Sequence, residues 1–104
     1  MIKMIEWVND LYVTENIKNK DKAIDNINRG KLTSGIYCIA FATNPKNLFD
    51  IYNAKELIFP YYKKQKTVIV GLAQGKNEAI LLVEKILLEI YTNTGEFKVR
   101  EYFK

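Results

Sequence analysis

The stretch VIVGLAQGKNEAI, Val68 to Ile80, decides how this chain is read. An apolar run ends at Gly71, Gly75 and Lys76 follow, and a strongly helical segment begins. Strand, glycine loop, lysine and helix in that order is the layout of a phosphate-binding loop, whose pattern is G-x-x-x-x-G-K-[ST]. Here Gly71 and Gly75 enclose three residues rather than four, and Asn77 stands where Ser or Thr would hold Mg²⁺. The phosphate cradle depends on successive backbone N–H groups turning inward, and one residue fewer breaks it. The same residues have a structural reading. Gly71 and Ala73 are small enough to let a helix pack close to a strand, Gly75 permits a tight turn with positive φ, and Glu78 complements the positive end of the helix. What remains of the ligand reading is a small-anion or nucleotide site at the helix start, Gly75, Lys76 and Asn77, beyond the end of a central strand. Glu78 already fills part of the anion's role there.

The helix that follows is expected over Asn77–Tyr91. On a wheel, Ala79, Ile80, Val83, Ile86, Leu87, Ile90 and Tyr91 form a broad core arc, opposed by Glu78, Glu84, Lys85 and Glu89. Leu81 and Leu88, seven residues apart, fall inside the polar arc, and Leu82 lies at its margin. One exposed leucine carries no message. Two stacked at heptad spacing mark Leu81, Leu82 and Leu88 as a seam buried by something else, either the N-terminal segment or a second subunit or partner.

Working outward, KTVIVGLA and GIYCIAF are strands apolar on both faces, hence central in a sheet. In the second, Ile36, Cys38 and Ala40 alternate with Tyr37, Ile39 and Phe41, over about Ile36–Ala42. Met1, Met4, Ile5, Val8, Leu11 and Tyr12 fit helical spacing, while LYVTE reads equally as a strand. Residues 1–10 are left open between helix and strand, and the reading preferred is a strand near Leu11–Thr14. A polar surface helix follows it, with Ile17, Ile24 and Ile27 on one face and Gly30 as its stop. NLFDIY is a shorter apolar piece. Asn53 and Glu56 form a capping pair for a short helix, AKELIF, ended by Pro60. At the C-terminus, FKVREYF alternates and reads as a half-exposed edge strand. The segment from Thr67 to Phe103 is then a right-handed parallel strand–helix–strand unit. The fold class expected is a small single-domain α/β layered fold of about four strands over residues 1–104.

Composition narrows the function. Apolar residues make up 48 % of the 104, enough for one packed core. The longest apolar run falls far short of a membrane span, and the start carries Glu6 and Asp10 without a small-residue cleavage site. A cytoplasmic location is expected, in keeping with the single cysteine, Cys38. The net charge of +4 falls short of the dense basic stripe of most nucleic-acid binders. With 14 Lys and 2 Arg, the composition has the stamp of AT-rich codons.

There is no histidine, which removes Ser-His and Cys-His nucleophiles, His-based metal centres and His general bases. Cys38 sits mid-strand in apolar company and reads as an inert thiol. Glu84 and Glu89 do not share a helix face. Asp50, between Phe49 and Ile51, reads as a turn or cap residue. No catalytic residue, metal or cofactor is expected. Tyr61, Tyr62, Lys63, Lys64 and Lys66, with Lys98 and Arg100 on the last strand, form a second candidate surface, since tyrosines stack on bases and lysines hold phosphates. Its plain alternative is a solvated loop beside a guarded edge.

The pattern YCIAFATNPKNLFDIYNAKEL…YYKK…VIVGLAQGKNEAILLVEKI…YTNTGEFKVREYF, across residues 11–104, resembles a family of small uncharacterised bacterial proteins without an assigned activity. The resemblance implies a compact α/β domain and no catalytic or binding residue. Three readings follow. The first is a non-enzymatic interaction or regulatory domain with a protein partner or as a homo-oligomer. The second is a weak nucleic-acid binder, and the third an anion or nucleotide binder. Because a few lysines neutralise only a few phosphates, titration with DNA or RNA near physiological salt should give salt-sensitive dissociation constants no tighter than roughly 10⁻⁴–10⁻⁶ M. Sequence-selective nanomolar binding would move the second reading to first place.

Overall fold

Two strands that are apolar on both faces must be covered on both faces, and the chain is arranged to do this. The computed structural model describes residues 5–31, 35–42, 46–58 and 67–103. Its elements are β1 (Ile5–Val13), α1 (Lys20–Asn28), β2 (Ile36–Phe41), β3 (Phe49–Asn53), a 3₁₀ turn (Ala54–Ile58), β4 (Thr67–Gln74), α2 (Lys76–Thr94) and α3 (Val99–Tyr102). The strands form one mixed sheet in the order β1-β4-β2-β3. β2 runs antiparallel to both β3 and β4, and β1 lies parallel to β4. The two central strands are those whose sequences are apolar throughout.

β4 carries a bulge at Val70. On one side Ala40 pairs with Ile69 and Ile39 with Gly71. On the other side Trp7 pairs with Ile69 and Tyr12 with Gly71. Val70 is passed over in both ladders, which breaks the strict alternation of side chains. Ile69 and Leu72 therefore face the same way as Ile36 and Cys38, towards α1. Val70 and Ala73 face α2 with Ile39.

α1 begins at Asn19, whose side-chain oxygen accepts a hydrogen bond from the Lys22 N–H at 3.0 Å. That bond satisfies one of the free amide donors of the first turn. Ala23 and Ile27 are buried against the sheet, and Ile17 and Ile24 pack at the margin. Trp7 joins β1 to this helix by donating from Nε1 to Asn28 Oδ1 at 2.9 Å.

On the opposite face α2 buries Ala79, Leu82, Ile86 and Ile90. Leu82 seats on Gly71, where an added Cβ would lie 3.3 Å from Leu82 Cδ2. Gly75 starts the helix at φ 98°, and Gly95 ends it at φ 75°, with its N–H donating to Tyr91 O at 2.7 Å. Both conformations strain an L side chain.

The α/β class holds, with corrections of detail. The C-terminal residues do not form a strand. They turn into α3, whose Val99 is buried, while Tyr102 and Phe103 pack on the α2 side. Val99, Tyr102 and Phe103 are spaced i, i+3 and i+4, so the alternating pattern also fits one helical turn. No parallel strand–helix–strand unit spans Thr67 to Phe103, because β1 already occupies the outer side of β4. The fourth strand falls within and just past NLFDIY, as β3 (Phe49–Asn53), with Asp50 a strand residue opposite Ala40 rather than a turn or cap. AKELI is a 3₁₀ turn, and Asn53 Oδ1 accepts from the Lys55 N–H at 3.1 Å. The core arc of α2 is also rotated from its expected position: Leu82 lies in it, while Ile80 and Tyr91 are exposed.

Leu82 is 6 % exposed and Leu88 66 %. Leu82→Ala is expected to lower the unfolding free energy by about 2–5 kcal/mol, as for other buried leucines. Leu88→Ala should change it by less than about 0.5 kcal/mol. Denaturant unfolding of the two variants at low protein concentration checks the contrast.

Candidate functional site

The start of α2 is shaped by backbone rather than by ligand groups. Gly75 N–H donates to Gly35 O at 2.8 Å, and Gly75 O accepts from the Ala79 N–H at 3.0 Å. No side chain caps the helix. Lys76 and Asn77 are exposed. A shallow cavity of about 380 Å³ beside the first turns is lined by Glu15, Asn16, Glu78 and Lys85 among others. Two carboxylates against one ammonium make this a poor place for an anion.

Tyr61, Tyr62, Lys63, Lys64 and Lys66 lie outside the described residues. Lys98 is exposed, with its Nζ 3.6 Å from Glu96 Oε2. Arg100 does a different job. Its Nη2 donates to Ala42 O at 2.9 Å, and its guanidinium lies 4.8 Å from the centre of the Phe41 ring. These contacts fasten α3 to the end of β2, a use suited to a planar cation that donates and stacks at once.

Cys38 is fully buried, and burial pushes its thiol up to about 12. Such a thiol supplies almost no thiolate near neutral pH, so it is a poor nucleophile. Asp50 Oδ2 accepts from the Tyr52 hydroxyl at 3.2 Å. Glu89 is half-buried on the inner side of α2. Its Oε2 is buried with no hydrogen-bond partner among the described residues. Burial, the Glu89 carboxylate and the Tyr102 hydroxyl together hold the Tyr12 hydroxyl well above the usual phenol range. A cleft of about 590 Å³ opens beside Tyr12, between the Val8–Leu11 segment of β1 and Tyr102 and Phe103. Its polar lining is Asn9, Asp10 and the hydroxyls of Tyr12 and Tyr102, of which Tyr12 is held protonated. Among the described residues no group of three His, Cys, Asp or Glu side chains is placed to hold a metal ion. No helix among them is long and apolar enough to cross a membrane.

The outer side of α2 is different in kind. Leu81 is 57 % exposed and Leu88 66 %, whereas Leu82 belongs to the core. Described residues of the N-terminal segment do not cover the pair, since Ile5–Val13 is committed to the sheet. Ile80, Tyr91 and Phe97 are exposed on the same helix or folded back on it. Phe97 stacks on Tyr91 with ring centres 5.1 Å apart. Thr94 Oγ1 fixes the reversal by donating to Ile90 O at 2.7 Å and accepting from the Glu96 N–H at 3.2 Å. Beyond Phe97 a groove of about 470 Å³ leads to Leu48 and Arg100. Sequence reasoning missed Ile80, Tyr91 and Phe97 as surface residues. The usable signal was Gly95 with an aromatic two residues on, because a glycine helix stop is commonly accompanied by an apolar contact back onto the last turn.

Comparison with protein families, with curated proteins and with solved structures finds no match to this chain. The functional reading therefore rests on its own residues.

The raised thiol of Cys38 has a consequence for stability. Its folded value lies above the ordinary 9.0, so the folded state holds the proton more tightly than the unfolded chain. The contribution is fully present below pH 9 and is lost as pH rises towards about 12. The raised Tyr12 hydroxyl acts in the same direction. The unfolding free energy should fall above about pH 9 by up to about 1.4 kcal/mol per pH unit for the thiol. In Cys38→Ala that fall should be shallower, and denaturant titrations across the alkaline range check it. In the folded wild type, a thiol reagent at pH 8 should react only at the rate of unfolding.

Proposed function

We propose that the chain is a non-enzymatic interaction module that engages a protein partner through the outer face of α2. One observation carries the reading. Of the six large apolar side chains exposed among the described residues, Ile80, Leu81, Leu88, Tyr91 and Phe97 gather on one helix or against its last turn. The sixth, Leu48, lies across the groove from Phe97. Scattered single exposures are ordinary, whereas five exposed apolar side chains carried by one helix and its last turn favour a contact surface. The thiol is buried and the phenol at Tyr12 is poorly ionised, so neither speaks for catalysis. Arg100 is already engaged, and Glu15 and Glu78 stand beside the start of α2, so the basic and anion surfaces have less behind them. The setting we propose is cytoplasmic, on the strength of the lone cysteine.

The test is photo-crosslinking in the host, with a benzophenone amino acid replacing Leu88 and, as control, replacing exposed Asp21 on α1. An adduct at position 88, to this chain or another protein, that disappears on Leu81→Lys is the expected result. Equal adduct formation at 21 and 88, or none at 88, removes the reading.

A further inference from the structure

Resting on that reading, we infer that the partner at the α2 face is a second copy of this chain, packed with the two α2 helices parallel about a twofold axis. The argument comes from which charges the geometry brings together. Successive residues of a helix are about 100° apart, so Leu81 and Leu88 differ by only about 20° in direction. Glu84 falls about 40–60° to one side of that line, and Lys85 about 40–60° to the other. The two charges are about 1.5 Å apart along the axis, midway between the leucines. All four side chains are exposed.

Two such helices can meet along the Leu81–Leu88 line in either direction. In an antiparallel pair the twofold axis crosses the helices, so identical flanks meet. Glu84 then faces Glu84 of the second copy, and Lys85 faces Lys85. In a parallel pair the axis runs along the helices, so opposite flanks meet. Leu81 then stacks on Leu81 and Leu88 on Leu88. Each Glu84 reaches the other copy's Lys85, which gives two symmetry-related ion pairs beside the apolar line. This is the flank rule of parallel coiled helices, applied to a single pair of leucine layers. Like charges set opposite each other are disfavoured and unlike ones fix the register. The charge pattern therefore selects the parallel arrangement.

The surface also sets the strength. Two leucine layers about 10 Å apart along the axis form a small patch, whereas a standard interface buries about 800 Å² and roughly 20–30 residues per partner. Self-association should be weak and concentration-dependent, in the range of roughly 10⁻⁵–10⁻³ M.

Sedimentation of the purified full chain up to about 1 mM tests this, with Glu84→Lys, Lys85→Glu and the double exchange. Each single exchange sets like charges face to face in the parallel dimer, and should weaken it about fivefold or more. The double exchange restores both pairs, as does mixing the two single variants, which should associate with each other better than with themselves. In an antiparallel dimer the double exchange only swaps one like pair for another, and the mixture of single variants, with unlike charges at both positions, would associate more tightly than wild type, whereas in the parallel dimer it only matches wild type. Both positions are exposed, so Glu84→Lys should melt near wild type, and Lys85→Glu, which sets a third carboxylate beside Glu15 and Glu78, should melt slightly lower.

A second measurement does not depend on charge. Leu88→Cys alone should form a disulfide-linked dimer under mild oxidation, while Cys38 stays inert in the core. If instead Leu88→Cys links only to Leu81→Cys in a mixture, the helices are antiparallel and the inference is overturned. Charge exchanges without effect on association also overturn it. A wild type that stays monomeric throughout removes the second copy as partner. In that event an adduct to another protein at position 88 in cells still keeps the interaction reading, and the two failures are told apart.

Discussion

The rest of the structure depends on the two-sided apolar character of β2 and β4. Ile36, Cys38 and Ala40 on one side of β2, and Ile39 on the other, are essentially inaccessible to water. Burial of such side chains is worth roughly 1.5–3 kcal/mol each, but only if both faces of the sheet are roofed. One roof is α1 with the 3₁₀ turn, and the other is α2 with α3. Most polar side chains of the described residues lie at the ends of the strands, in the loops and on the outer sides of these helices, with Glu89 an exception. The two faces differ in scale, since α1 has 9 residues and α2 has 19.

Within that constraint a missing side chain sets the orientation of the larger roof. Gly71 leaves a hollow in the sheet that Leu82 fills, with Ile39 beside it. Seating Leu82 there fixes how α2 is turned about its own axis. Leu81, one residue away and about 100° round the helix, is then driven outward, and Leu88 with it. The exposed leucines are thus a consequence of how the core is closed. In a helix carrying aliphatic residues all round, the core uses one arc and leaves the surplus facing outward.

The same surplus explains where sequence reasoning went astray. The strands β2 and β4 were legible because a run apolar on both faces has no place except the middle of a sheet. α1 was legible because its polar residues leave one apolar face. The existence of α2 was plain, but not its rotation. The helical wheel puts Glu78, Glu84, Lys85 and Glu89 on one solvent-facing arc, yet Glu89 lies half-buried beside Tyr12. Only the hollow at Gly71, a long-range contact, picks Leu82 over Ile80. The tail failed for another reason. Over seven residues, FKVREYF satisfies both the period of a strand and a single helical turn, and Arg100 settles the matter by reaching Ala42 O and the Phe41 ring. The parallel pairing was expected of the right strand, β4, but with the wrong partner. β1 comes first in sequence, and its Trp7–Asn28 hydrogen bond ties it to α1.

The stack of Phe97 on Tyr91 couples two things that look separate. The ring of Phe97 is held by the turn that ends α2, through Gly95 N–H on Tyr91 O and Thr94 Oγ1 on Ile90 O. The final turn of a helix is the part that opens most readily, at a small fraction of the free energy of global unfolding. Each opening releases Phe97 and splits the aromatic end of the exposed strip, while Leu88, about one turn further in, and Leu81, about three, stay wound. The surface is therefore graded along its length: permanent near Leu81, intermittent near Phe97. Whatever rests on the aromatic end would hold that turn closed, so occupancy of the surface and winding of the helix terminus rise together.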